Sequence, residues 1–116
     1  MTNKRLFIAA FCFTAIFNHL QAQIQYQKYY TSSDSKQMAV EGMMDDDSVR
    51  IGEWTWWHPN GAIYQRGSYD NYGKKIGTWN IYYDNGDQRA TECYDNGSNK
   101  TWHPNGQLQS EIAVVD

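Results

Sequence analysis

Residues 55–61, read TWWHPNG, return near the end of the chain as residues 101–106, read TWHPNG. In both copies Asn-Gly stands between runs of aromatic and alternating residues, and a third Asn-Gly occurs at Asn85 and Gly86. Asn-Gly between such runs is the strongest short-range signal for a β-hairpin, because both residues tolerate a positive φ. The stretch therefore predicts a hairpin that the chain uses repeatedly.

An internal repeat of 25 residues covers the middle of the chain and sets the predicted architecture. The same offset also aligns residues 45–48 (DDDS) with residues 70–73 (DNYG), and the last unit has lost five residues between 97 and 102. A degenerate first unit is predicted to start near residues 29–30. The pairs that carry the offset are Gly42 and Gly67, Gly52 and Gly77, Trp54 and Trp79, Asn60 and Asn85, Gly61 and Gly86, and Tyr69 and Tyr94.

Period-two alternation sorts the side chains onto two faces of the predicted sheet. Trp54, Trp56 and His58 share what we call the first face, with Trp79, Ile81 and Tyr83 in the next unit. Ile63, Gln65, Gly67 and Tyr69, matched by Gln88, Ala90, Glu92 and Tyr94, are assigned to the same face on the returning strands. We expect Trp54 and Trp79 to stack as neighbouring rungs of an aromatic ladder.

The opposite side of the sheet, the second face, is also predicted to be aromatic, with Trp57, Tyr64, Tyr82 and Trp102. A single-layer sheet cannot bury both of its faces. Two interpretations follow: residues 24–30 cover the second face, or its aromatic side chains form a binding platform, since Trp and Tyr are enriched at binding surfaces.

Units of the form Gly-x-Trp-x-x-[Tyr/Trp]-x-x-Asn-Gly, present at residues 52–61 and 77–86 with a truncated copy at 102–106, resemble bacterial MORN-type repeats. They are similar in particular to the variant in exported bacterial proteins and in YwqK-type antitoxins. The resemblance covers about residues 42–112. It implies an all-β fold, an elongated antiparallel meander of stacked hairpins, and interaction rather than catalysis.

The N-terminus reads as a helical signal peptide. Lys4 and Arg5 precede an apolar run at residues 6–17 that is too short to span about 30 Å of hydrocarbon, and cleavage is predicted after Ala22. The predicted organisation is a signal peptide at 1–22, an N-terminal segment with the degenerate first unit at 23–41, and the repeat domain at 42–116. A secreted or periplasmic location follows, which fits a cytoplasmic antitoxin poorly.

The chain left after cleavage would carry 8 Lys and Arg against 13 acids, a formal charge of −5. This balance argues against nucleic acid as a partner. Only about two and a half good repeats are visible, fewer than the three that such arrays usually need, so a partner or self-association is expected to add stability.

Three groups of side chains are candidates for chemical sites. His58 and His103 occupy equivalent places but lack further ligands at metal spacing, residues 45–47 (DDD) lack the spacing of a calcium loop, and Cys93 has no base nearby in sequence. Structural interpretations are favoured for all three, and no cofactor, metal or catalytic residue is predicted. The predicted function is a protein–protein interaction module, and the alternative is a carbohydrate-binding module that uses the aromatic face.

Overall fold

The structure is a computed structural model that describes residues 22–31 and 36–113. Apart from Ala22, the predicted signal peptide lies outside these residues. The described part contains eight strands: β1 (Ile24–Tyr29), β2 (Met38–Met44), β3 (Arg50–Trp57), β4 (Ile63–Tyr69), β5 (Lys75–Tyr82), β6 (Gln88–Cys93), β7 (Asn99–Trp102) and β8 (Leu108–Ile112). None of the described residues forms a helix long and apolar enough to cross a membrane.

All eight strands form one sheet in the order β1 to β8, and every neighbouring pair is antiparallel. The predicted all-β meander of stacked hairpins is therefore confirmed. Each repeat unit is one hairpin, and β3–β4 and β5–β6 are the two complete copies. The predicted division between residues 41 and 42 falls inside β2, in the middle of the continuous sheet.

The first unit begins earlier than the sequence suggested. Tyr26 pairs with Gly42 as Trp54 pairs with Gly67, so Tyr26 is the counterpart of Trp54 and the first unit is the whole β1–β2 hairpin. The predicted start near residues 29–30 is wrong because the offset here is 28, not 25. The link between β1 and β2 is longer, and the simple repeat period does not extend through it.

The Asn-Gly hairpins at residues 60–61, 85–86 and 105–106 are built in one way. At the first, Gly61 N donates to His58 O at 2.9 Å, His58 N donates to Ala62 O at 2.7 Å, and Asn60 Oδ1 accepts from Ala62 N at 3.0 Å. Gly61 takes a φ of 91°. Asn60 does not have a positive φ, since Ser48 is the one non-glycine with a positive φ among the described residues. The asparagine thus bridges the turn through its side chain, and only the glycine adopts the left-handed conformation.

The core lies on the first face and is centred on two tryptophans. Trp54 and Trp79 are 0% and 1% exposed, and each indole lies directly over a glycine, Trp54 over Gly42 and Trp79 over Gly67. The indole N–H of Trp54 donates to Met43 O at 3.0 Å, and that of Trp79 to Ser68 O at 3.2 Å. Aligning these glycines was correct, and their role is to admit an indole ring against the backbone.

The expected stacking of Trp54 on Trp79 is not observed. Their strands, β3 and β5, are separated by β4, which places them about 10 Å apart at the usual strand spacing. Trp56 fills the gap, with ring centroids 5.8 Å from Trp54 and 5.7 Å from Trp79, and Tyr69 meets both rings edge to face. The guanidinium of Arg50 lies 4.9 Å from the Trp54 ring, and Lys75 Nζ lies 4.5 Å from the Trp79 ring. Cations therefore cover the aromatic core where a second layer would otherwise stand.

Candidate binding surface

The middle of the second face is a continuous row of polar side chains. Direct register partners link one residue from each strand: Gln27, Glu41, Thr55, Arg66, Asn80, Thr91, Lys100 and Glu111. Several of these side chains are bonded to one another or to close neighbours, including Gln27 to Glu41 at 2.8 Å, Arg66 to Thr55 at 3.2 Å and Lys100 to Glu111 at 3.0 Å. This polar row makes the second face less apolar than the sequence suggested.

Beside the polar row, at the Asn-Gly end of the strands, runs a second row that is mostly apolar. Its members are hairpin partners that follow a β-bulge, namely Tyr29 with Met38, Trp57 with Ile63, Tyr82 with Gln88, and Trp102 with Leu108. We call this set the apolar row. Trp57, Tyr82 and Trp102 are half-buried, and Tyr29 and Leu108 are 41% and 52% exposed. At about 4.8 Å per strand, the distance from Trp57 to Trp102 is about 19 Å.

Three of the four predicted platform residues, Trp57, Tyr82 and Trp102, therefore lie on the second face in equivalent positions. Tyr64 does not join them. Its ring packs edge to face on His58 with centroids 5.0 Å apart, and it shares a shallow first-face depression with Ile81 and Tyr83.

The physical reason for this difference is a bulge that simple alternation does not anticipate. Trp56 pairs with Gln65 but Trp57 pairs with Ile63, so Tyr64 is the extra residue of β4. The same shift places Gln88 opposite Tyr82, where it donates to Asn80 Oδ1 at 3.1 Å. Assigning Ile63 and Gln88 to the first face was therefore wrong, while Ala90 and Glu92 lie on it as expected.

Sequence reasoning missed Ile63 and Leu108 as members of the apolar row. Each is the second residue after the glycine of an Asn-Gly turn, but the bulge that turns it to the second face lies one residue further on, at Tyr64 and at Gln109, and is seen only in the pairing register. The alternative interpretation, that residues 24–30 cover the second face, is also wrong. Most of that segment forms β1, which extends the sheet at its edge.

The His58 and His103 positions have a structural explanation. His58 Nε2 lies 3.0 Å from the carbonyl oxygen of Tyr82, and a carbonyl only accepts, so this nitrogen carries the proton. The equivalent Tyr83 hydroxyl donates to Trp102 O at 2.8 Å, and the equivalent Tyr30 hydroxyl donates to Trp57 O. One side chain per unit thus binds the backbone of the next unit. His103 occupies the same place in the last unit, and its side chain is exposed.

The carboxylates of Asp45, Asp46 and Asp47 lie within 4.8 Å of one another. Asp45 Oδ1 accepts from the backbone N–H groups of Asp47 and Val49, both at 2.9 Å. Asp70 accepts in the same way from residues two and four positions further on, at 2.8 and 2.9 Å, and these bonds hold the pKa of its carboxyl below the usual value. The turn geometry therefore explains why an aspartate opens both turns.

Cys93 lies in a shallow second-face depression of about 500 Å³ beside Trp102, with Lys100 and Glu111 also lining it. Backbone N–H groups of Asn96 and Asp95 lower the pKa of its thiol. The side chains that line the depression include no imidazole, the base that most often activates a catalytic thiol.

A family model described as MORN repeat variant matches residues 50–71 and 95–114. These segments contain the β3–β4 and β7–β8 hairpins, and the β5–β6 hairpin between them repeats the same Gly-x-Trp and Asn-Gly pattern. The match supports the MORN-like repeat family that the sequence resembles. Comparison with curated proteins and with solved structures gives no significant match. MORN repeats are generally non-catalytic modules for interaction with proteins or membranes.

Proposed function

We propose that this chain is an exported protein–protein interaction module that acts in the bacterial cell envelope or outside the cell, and that it binds its partner through the apolar row of the second face. The observation that carries the proposal is the alignment of Trp57, Tyr82 and Trp102 with Ile63 and Leu108 on one side of a single-layer sheet.

The chemistry of this surface suits a protein partner. Large aromatic side chains supply most of the binding energy at protein interfaces, and charged or amide groups around them form the rim. Here the apolar row is flanked along its length by the polar row, which includes Arg66, Asn80 and Lys100. The first face offers less to a partner, because Trp54 and Trp79 are buried and are covered by Arg50 and Lys75.

The test is a pull-down from the native envelope fraction with protein purified after expression of the full chain. We expect a protein captured by the wild type to be lost with the double variant Trp57→Ala, Trp102→Ala. Tyr64→Ala is the matched control, since it removes a half-buried aromatic ring from the opposite face of the same hairpin. Capture that survives the double variant, or that is lost equally with Tyr64→Ala, would contradict the proposal.

A glycan is the second candidate ligand. The observation that favours it is that amide side chains, which both donate and accept hydrogen bonds, lie beside the aromatic rings. Gln88, for example, is the register partner of Tyr82 and donates a hydrogen bond to Asn80. Aromatic rings beside such groups can stack on a sugar ring and bond its hydroxyls. This alternative predicts quenching of Trp fluorescence by envelope glycans and competition by free sugar, whereas protein binding tolerates added sugar.

Export rests on the N-terminal sequence, where Lys4 and Arg5 precede the apolar run at residues 6–17. Mass spectrometry of the protein recovered from the producing bacterium tests it. An N-terminus at Gln23 in the envelope or medium is expected, and an intact Met1 start in the cytoplasm would contradict export.

A further inference from the structure

We propose that β8 of one chain pairs with β1 of a second copy, so that two chains join head to tail and the sheet continues across the junction. This inference concerns the edges of the sheet and goes beyond the proposed function, which concerns its second face.

The two terminal strands are edges among the described residues. Within residues 22–31 and 36–113, β1 pairs only with β2 and β8 pairs only with β7. All five residues of β8 are exposed, and neither β1 nor β8 contains proline, which blocks an edge from pairing because it has no backbone N–H. An edge strand of this kind presents backbone donors and acceptors to another strand.

The register of the junction follows from the rows that cross the sheet. On the first face, direct partners run through one residue per strand: Lys28, Val40, Trp56, Gln65, Ile81, Ala90, Thr101 and Ser110. Continuing this row sets Ser110 opposite Lys28 of the second copy. The polar row then sets Glu111 opposite Gln27, and Ile112 faces Tyr26.

The contact that links each unit to the next identifies what the second copy supplies. Tyr30, His58 and Tyr83 each reach the backbone carbonyl at the equivalent position of the following unit. His103 is the fourth member of this series and, within the described residues, has no following unit to reach. In the head-to-tail pair its imidazole N–H meets the carbonyl oxygen of Tyr29, because Tyr29 is the counterpart of Trp57.

The two edges also share an apolar character. Each edge exposes large apolar side chains, with Ile24 at 52%, Leu108 at 52% and Ile112 at 59%. Pairing β8 with another β8 would not bring the Tyr29 carbonyl to His103, so the contact that links successive units favours head-to-tail over tail-to-tail association.

Disulfide trapping tests the register directly. Two proteins are made from the full chain with Cys12→Ser and Cys93→Ser, one carrying Ser110→Cys and the other Lys28→Cys. Directly opposed residues of antiparallel strands have Cα atoms about 4.5–5.5 Å apart, within the range that a disulfide requires. We expect a disulfide-linked dimer when the two proteins are mixed under oxidising conditions, and none when either is oxidised alone.

The register control replaces Ser110→Cys with Glu111→Cys, which points to the other face of the sheet. It should not link to Lys28→Cys. Loss of the dimer from the Ser110→Cys and Lys28→Cys mixture would overturn the proposal. A dimer of Ser110→Cys with itself would also overturn it, because that product reports tail-to-tail pairing.

The second measurement is analytical ultracentrifugation of wild type and His103→Ala over a range of protein concentration. A head-to-tail pair leaves one edge of each chain free to bind a further copy, so wild type should form a concentration-dependent series of oligomers rather than one dimer. Loss of one hydrogen bond should raise the dissociation constant about fivefold in His103→Ala. The dilute variant should melt as wild type does, because His103 is exposed in the single chain. A monomer at all concentrations, or association unaffected by His103→Ala, would contradict the inference without bearing on the apolar row.

Discussion

Gly67→Ala is the substitution whose effect depends most directly on the way the core is built. Gly67 is buried beneath Trp79 and has an ordinary backbone conformation. A methyl group at such a position normally stabilises a protein by about 0.4–1 kcal/mol, because it restricts the unfolded chain. Here the added Cβ would lie less than 3.0 Å from Cγ, Cδ2 and Cε2 of the Trp79 indole. The sign of the effect should therefore reverse.

Forcing an extra carbon into a packed core costs about 1–3 kcal/mol. After the gain from the unfolded chain is subtracted, we expect Gly67→Ala to destabilise the protein by about 1–2 kcal/mol. For a domain of this size that lowers Tm by about 4–16 °C. Urea and thermal unfolding, followed by Trp fluorescence and circular dichroism, measure both quantities.

Trp79→Leu provides the matched background, because leucine lacks the fused ring that covers Gly67. In that background Gly67→Ala should be neutral or stabilising, so the double-mutant cycle should give a coupling of at least about 1 kcal/mol. A neutral or stabilising effect of Gly67→Ala in the wild-type chain, or additive effects in the cycle, would refute the steric account.

Three further substitutions test separate contacts. Tyr83→Phe removes the 2.8 Å hydrogen bond to Trp102 O and should cost about 0.5–1.5 kcal/mol in urea unfolding, and an unchanged midpoint would contradict its role between units. The backbone N–H groups of Lys74 and Tyr72 hold the pKa of Asp70 below its usual value, so its ionised form stabilises the fold above the pKa of the unfolded chain, and the contribution is lost as the pH falls through the folded pKa. Asp70→Asn should accordingly melt below wild type at neutral pH and converge with it in acid, and a Tm difference that persists in acid would argue against the carboxylate. Glu53→Ala removes an exposed 4.0 Å ion pair with Arg66 and should change stability by less than about 0.5 kcal/mol, whereas a larger loss would mean that the pair is more than a surface contact.

The hairpin architecture was predictable because its signals are local. Asn60 and Gly61, repeated at 85–86 and 105–106, determine where the chain turns, and the 25-residue period shows that the turns belong to one unit. Alternation then placed Trp54, Trp56 and Trp79 correctly on the first face, since each lies in a regular stretch of strand. The resemblance to MORN repeats rested on the same residues.

What the sequence did not predict depends on contacts between strands. Bulges at Tyr64 and at Arg89 reverse the faces of Ile63 and Gln88, respectively, and they are visible only in the pairing register. Trp79 packs on Gly67, which lies 12 residues earlier in the adjacent strand. The sequence shows that both positions repeat, but it does not show that these two residues contact each other. The first unit was placed too late because its link between strands is longer and breaks the 25-residue offset.

The candidate surface was predicted only in part, again because some of its features depend on contacts between strands. Trp57, Tyr82 and Trp102 are repeat equivalents, and the register confirms that they share the second face. The polar row beside them was missed, because only the paired strands show that residues such as Arg66 and Asn80 are direct neighbours.

Site-specific photo-crosslinking in the cells that produce the protein tests the central claim most directly. A photoreactive phenylalanine analogue is placed at Tyr82 on the second face and, as the control, at Tyr64 on the first. The account predicts that Tyr82 captures another protein and that Tyr64 does not. Capture from Tyr64 alone, or from neither position, would contradict the assignment of the second face as the surface through which this repeat protein binds its partner.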